Sequence, residues 1–401
     1  MRLKCISWAG ILSALGVAVI GAAVRGQNGP PRMGLNARPT VMHVVETPYY
    51  ILHTDLEEAG AREADLRMTR MFEEYRRRTS DFAGQINRKF PFFLYRHEAD
   101  YLAAGGPKGS VGVFMPQRDG GTLMAIAGDK PDADTWHVVQ HEGFHQFVAA
   151  SFKFDLPIWV NEGLAEYFGE SRWTGDAFVS GLIPPDRLDD IRTEIRRNQF
   201  KPFKTMMAMS DWEWGDHLTY SNYDQAWAMV HFLAHADNGR YQAPFLAYLK
   251  KVSKGEVAPI AWAEVFGQDT EGFQRQFVNW WMALPDNPTR AGYLRVVVQT
   301  STSYLARASL QRLTFPDAMN FFEKYQPAGM TLTRDLWLPP ALFDEMKRVA
   351  PGAGDWTLQN SNTGQRLVLV TPDGIKLTGA FITQGGKVAQ VAVDVTEAGG
   401  H

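Results

Sequence analysis

The feature that most constrains this chain is His141-Glu142-Gly143-Phe144-His145, inside the run Thr135–Ala149. Residues four apart on a helix lie on one face, one turn above each other. A helix here therefore offers two imidazoles to a single divalent ion, the ligand chemistry that zinc prefers. Glu142 sits on the flank of that face, where a carboxylate can take a proton from a water held at the metal. His137 extends the row by one more turn. Three histidines at this spacing cover roughly 12 Å of axis, too far for one ion, so His137 reads as an ordinary, partly buried histidine.

The run Leu156–Phe168 supplies what the histidines lack. Pro157 suits a helix start, and Trp159–Phe168 reads as a second helix with Glu162 and Glu166 four apart on one face. Glu162 can act as third ligand, completing the two-His, one-Glu set of catalytic zinc sites. Glu166, one turn on, can accept the N–H of a ligand imidazole. His217, His231 and His235 show ligand spacing only in the last pair. That pair lies on an apolar helix with no well-placed Glu, and it is not read as a second metal site.

The two motifs together resemble the gluzincin metallopeptidases, which include thermolysin and aminopeptidase N. Asn161-Glu162-Gly163 followed by Ala165-Glu166-Tyr167 is similar to the aminopeptidase N pattern. The run is closer still to bacterial secreted proteins called peptidase MA-like, which share Pro-x-Trp-x-x-Glu-Gly-x-Ala-Glu. The resemblance covers about residues 41–284 and is strongest over 135–168. It implies an α+β, thermolysin-like zincin with a mixed sheet-and-helix N-terminal lobe and a helical C-terminal lobe. It also implies zinc as cofactor, with His141, His145 and Glu162 as ligands, Glu142 as base and Glu166 behind the ligands.

By the same resemblance, Tyr223 at the start of a later helix stabilises the oxyanion, with Tyr220 as its nearest rival. The last strand before the zinc helix, with Thr122, Leu123, Met124 and Ala125, becomes the edge on which an extended substrate pairs. Strand addition needs no particular side chains, so it implies little sequence specificity. Aminopeptidase N-like enzymes carry a Glu on that strand to hold the substrate amine. Gly121–Ala127 has no acidic residue, which favours an endopeptidase over an aminopeptidase. The rival reading is a non-catalytic zincin-fold protein that binds a partner through its C-terminal strands; its signature would be a lost Glu142 or a lost ligand.

Met1–Lys4 is basic, and Ile6–Val24 is apolar and small-residue rich. This reads as a secretory signal peptide over 1–26, with an uncleaved anchor as the alternative, since the apolar run nearly spans a bilayer. The expected location is secreted or periplasmic, with membrane attachment only if that segment is retained. Cys5 is the single cysteine, so no internal disulfide is available. A net charge of −3 over 401 residues gives no general attraction to nucleic acid. The expected partner is a peptide or protein substrate, and nothing in the sequence specifies an oligomeric state.

Periodicity places strands at 48–53, 91–95, 111–115 and 121–127 and helices over 57–78, 97–104, 223–235, 245–252 and 270–284. Residues 169–200 read as irregular, and Trp212–Trp214 as loop. A flexible lead-in covers 27–39 and the peptidase domain 40–290. A helical connector spans 291–354. Short alternating runs separated by Gly and Pro-Asp-Gly turns give a small antiparallel β domain over 355–396.

Overall fold

The computed structural model describes residues 41–396 apart from 118–119, 217–219, 328, 331–332 and 362–363. The segments read as signal peptide and lead-in lie outside the described residues. Among those described, no helix is long and apolar enough to cross a membrane.

The N-terminal lobe runs β1 (His43–Glu46), β2 (Tyr50–Thr54), α1 (Glu58–Thr79), β3 (Phe90–Tyr95), α2 (Glu98–Ala103), β4 (Gly112–Met115), β5 (Thr122–Ile126) and α3 (Ala133–Ser151). Its five strands form one mixed sheet in the order β1-β2-β3-β5-β4. β2 and β3 pair in parallel across the α1 crossover, β3 and β5 pair in parallel, and β1 and β4 are antiparallel to their neighbours. This corrects the edge assignment. Thr122, Leu123, Met124 and Ala125 lie inside the sheet, because β5 pairs with both β3 and β4. The β4–β5 hairpin folds back so that the later strand goes inward and the earlier one, β4, becomes the edge.

A helical lobe follows: α4 (Ile158–Gly169), a two-stranded ribbon of β6 (Arg172–Trp173) and β7 (Phe178–Val179), α5 (Pro185–Arg196), α6 (Phe203–Ala208), α7 (Asp211–Asp216), α8 (Tyr220–Gly239), α9 (Gln242–Val252), α10 (Ala258–Phe266) and α11 (Thr270–Ala283). Two stretches read as irregular are helical. α5 starts at Pro185, which suits a first helical turn, and buries Leu188 and Ile191. α7 carries Trp212 and Trp214 on opposite sides, one exposed and one buried. The regular part of α8 ends where expected, with Asp237 and Asn238 in left-handed conformation.

One core joins the two lobes. It runs from Leu52, Phe72 and Phe92 under the sheet, through Phe144 and Phe168, to Trp227, Phe232 and Trp281. α3 lies in its middle, buried nearly all round from Trp136 to Val148. The side chain of Asp132 caps its first turn, accepting from the Thr135 N–H at 2.9 Å.

The C-terminal part comprises α12 (Arg290–Leu310), α13 (Ala318–Lys324), α14 (Pro340–Ala353), β8 (Asp355–Ser361), β9 (Gly364–Val370), β10 (Lys376–Gln384) and β11 (Lys387–Thr396). The strands form an antiparallel sheet in chain order. α12 lies across it, with Leu294 and Val298 packed on Leu369, Leu377 and Val393. The helices of 291–354 and the strands of 355–396 thus share buried contacts. Bidentate pairs fasten this part to the rest: Arg307 to Asp176 at 2.8 and 2.9 Å, and Arg334 to Asp65 at 2.5 and 2.9 Å.

Candidate metal centre

α3 and α4 pack side by side, and three contacts set how they sit. The Gln140 amide donates to the carbonyls of Phe168 and Gly169, both at 3.0 Å, and of Ser171 at 3.2 Å. It thereby adds a donor to carbonyls at and just beyond the end of α4. The Tyr75 hydroxyl donates to the Gln140 carbonyl, tying α1 to the same turn. At Gly163 a Cβ would lie 2.5 Å from the carbonyl oxygen of Ala226, so only glycine lets α8 approach α4 this closely.

This packing brings the sequence-predicted ligands together. Nε2 of His141 and Nε2 of His145 are 3.0 Å apart, and each is 3.4 Å from Oε2 of Glu162. All three residues are buried. Glu162 Oε2 has no hydrogen-bond partner, although a buried carboxylate oxygen is costly to leave unmet. Three donor atoms converging on one point, one of them otherwise unsatisfied, fit a single divalent ion with nitrogen and oxygen ligands. Burial acts to lower the His141 pKa, but the carboxylates of Glu162 and Glu166 outweigh it and push it up to about 10. Burial likewise opposes ionisation of Glu162, yet His145 and His141 hold it down at about 2. An imidazole so held must give up its proton before it can take a metal.

Glu142, next to His141 on α3, reaches β4. Its Oε2 accepts from the Phe114 N–H at 2.7 Å, a donor on the outward side of β4. Its Oε1 is buried without a partner. Burial is the main cause that raises its pKa above the usual carboxylate value. Tyr223 is buried as well, its ring centroid 6.3 Å from that of His141. Burial and the carboxylates of Glu162, Glu142 and Glu166 push its phenol upward, so it stays protonated. Trp214 packs edge-on against the Tyr223 ring at 5.3 Å. His217 lies outside the described residues.

Behind the ligands, the expected contact of Glu166 with a ligand imidazole belongs to a wider ion network that the motifs did not reveal. Oε1 of Glu166 lies 3.0 Å from Nδ1 of His141 and 3.6 Å from Nε2 of His137. Its other oxygen meets Arg187 at 2.6 Å. Arg187 also contacts Glu170 at 2.9 Å and Asp224 at 3.1 Å, and stacks over Trp227 at 4.3 Å. Against the penalty of burial, Arg187 and His137 hold Glu166 ionised, well below the usual carboxylate range. His137 thus belongs to the support of the site. Arg187 comes from α5, in a stretch that read as irregular; the only signal was an arginine on the buried side of an amphipathic turn after Pro185.

Residues 136–259 match a family model described as a protein of unknown function (DUF1570). The matched region contains both ligand helices, Arg187 and Tyr223. No match is found among curated proteins.

Proposed function

We propose that the chain is a secreted or periplasmic zinc peptidase of gluzincin type, with a thermolysin-like arrangement of its two lobes, acting as an endopeptidase. The observation that carries this reading is the convergence of His141, His145 and Glu162 with a buried, partly unsatisfied Glu142 beside them. Zinc, when bound, supplies Lewis acidity that polarises a carbonyl and makes a water acidic near neutral pH.

The chain's own residues do the rest. Phe114 N–H fixes one oxygen of Glu142, which leaves Oε1 to take a proton from the attacking water and deliver it to the leaving amine. Burial, which raises the Glu142 carboxyl above its ordinary value, favours its taking up that proton. The Tyr223 phenol, kept protonated, donates to the oxygen on which negative charge develops. Glu166, clamped by Arg187, holds the His141 ring in orientation. Apart from the Phe114 N–H, which Glu142 occupies, the outer edge of β4 is the sheet edge on which an extended peptide can add as a strand.

The test is metal analysis joined to peptide-library cleavage. The purified chain should take up one zinc, and His141→Ala or Glu162→Ala should lose it. Glu142→Gln should keep zinc and lose roughly two to four orders of magnitude in rate, the scale of a lost acid–base group. Loss of zinc from Glu142→Gln would overturn the division of roles.

A further inference from the structure

A cleft of about 390 Å³ opens at the N-terminal end of α4, the helix that carries Glu162. Ile158, one helical turn before Glu162 on α4, forms part of its wall, with Met207, Met209 and Val252. Asp211 opens α7, the helix whose Trp214 packs on Tyr223. The cleft therefore touches elements that also carry Glu162 and support Tyr223.

Its charge is one-sided. Asp155 and Asp211 both line it, and their side chains make no ion pair or hydrogen bond among the described residues. Glu256, also at the rim, is already matched by Lys251 at 3.1 Å, and Lys251 further holds Glu264. Lys153 sits over the Phe154 ring at 5.3 Å. Burial, then Asp155, then Glu162 raise the Asp211 carboxyl, the mark of a carboxylate facing other carboxylates without a cation between them.

We propose that this cleft is a subsite for a lysine or arginine side chain of the substrate, its methylenes against Ile158, Met207, Met209 and Val252 and its charged end between Asp155 and Asp211. The proposal rests on the peptidase reading. A long aliphatic stem with a cationic tip matches both halves of the lining. An acidic side chain would meet two like charges, and a purely apolar one would desolvate two carboxylates without replacing their water. Such a pair of partly exposed carboxylates gives about tenfold preference for a cation over a neutral side chain of equal length, weakening with salt.

The experiment compares peptides that differ at one position, lysine against norleucine against glutamate, on the full zinc-loaded chain. Lysine should exceed norleucine by about tenfold in kcat/KM, with glutamate lowest. That ratio should fall towards one in the Asp155→Asn, Asp211→Asn double variant, and Asp211→Lys should favour glutamate. The same peptides are titrated against the full Glu142→Gln chain, with fluorescence of the exposed Trp212 beside Asp211 as readout. Equal cleavage or binding of lysine and norleucine peptides, or a preference untouched by the double variant, overturns the subsite while the peptidase reading stands. Lysine-selective binding that the double variant abolishes, without cleavage by the native chain, supports the subsite and overturns the peptidase reading. Peptides neither bound nor cleaved overturn both.

Discussion

Truncating Arg187 would leave Glu166, Glu170 and Asp224 facing one another around a buried gap. Removing one partner of a buried ion pair costs about 3–5 kcal/mol, because the remaining charges lose their compensation. Arg187→Ala should therefore lower unfolding free energy in urea by about that amount. Arg187→Lys keeps the charge but not the fork that reaches three carboxylates, and should fall between. Because Glu166 would lose its clamp on His141, zinc affinity in Arg187→Ala should drop by roughly 10–100-fold in a competition titration. Unchanged stability and zinc affinity would show that the network is a surface ornament. Tyr223 makes the complementary case. If its phenol meets the developing oxyanion, Tyr223→Phe should lose about 10²–10³ in kcat while KM and zinc content hold, since the contact exists only in the transition state. Tyr220→Phe is the comparison; if that variant loses the activity instead, the donor is Tyr220.

Between elements, α4 packs tightly against α8. Glu162 and Tyr223 belong to these two helices, so their spacing sets the distance from ligand to phenol. A Cβ on Gly163 would meet the Ala226 carbonyl at 2.5 Å and the Val230 side chain at 2.7 Å. Backbone cannot step aside as a flexible side chain can, so Gly163→Ala must push the helices apart. Overpacking of this kind costs about 1–3 kcal/mol, and zinc affinity should fall with it. Gly143→Ala is the control, because there the added carbon meets the tip of Met68 at 2.7 Å, which can swing away. Equal effects at the two positions would mean that helix spacing does not matter to the site. The ligand helices were legible from spacing alone, since the period of a helix puts residues four apart on one face. α5 and α7 were not, because charges interrupt the apolar positions of both and α7 has only 6 residues. α12 falls in the helical connector expected over 291–354, but its burial was hidden. Its Gln299–Ser303 run is polar in sequence yet buried, because small side chains let β10 approach until a Cβ on Gly379 would sit 2.0 Å from Thr302.

For the molecule as a whole, His231 and His235, one turn apart on α8, contribute to the response to acid. Burial, followed by His235, pushes His231 down to about 3; burial, followed by Arg78, pushes His235 down to about 4. In the unfolded chain both sit near 6.5. The folded state thus binds fewer protons, and their contribution is present above about 6.5 and lost as pH falls through 4 and 3. Each histidine adds a slope of about 1.4 kcal/mol per pH unit within that window. His141 acts elsewhere: raised to about 10, it contributes fully below 6.5 and loses that contribution as pH rises through 10. Glu162, lowered to about 2, loses its contribution only below about 4.5. Glu194, pushed up to about 7 by burial and by Asp224, slopes the opposite way between 4.5 and 7. The histidines are therefore read by difference. In chelator-treated protein, urea unfolding between pH 6.5 and 4.5 should lose stability more steeply in the native chain than in a His231→Gln, His235→Gln variant. Parallel slopes would mean that these histidines are solvated.

The sequence by itself determined the local geometry: two imidazoles on one helix face, Glu162 and Glu166 on another, a helix start at Pro157, and turns between the last four strands. These follow from the periods of helix and strand and from the conformational habits of proline, glycine and aspartate, which act over a few residues. Only the tertiary structure decided which surfaces meet. Pairing in parallel with β3 drew β5 into the sheet and left β4, not Thr122–Ala125, at the edge beside Glu142. Burial of the stretch after Pro185 brought Arg187, twenty-one residues beyond Glu166, into the ion network. No local rule links those positions, because the energy that selects them comes from burying charges together and apolar faces against each other across the whole core.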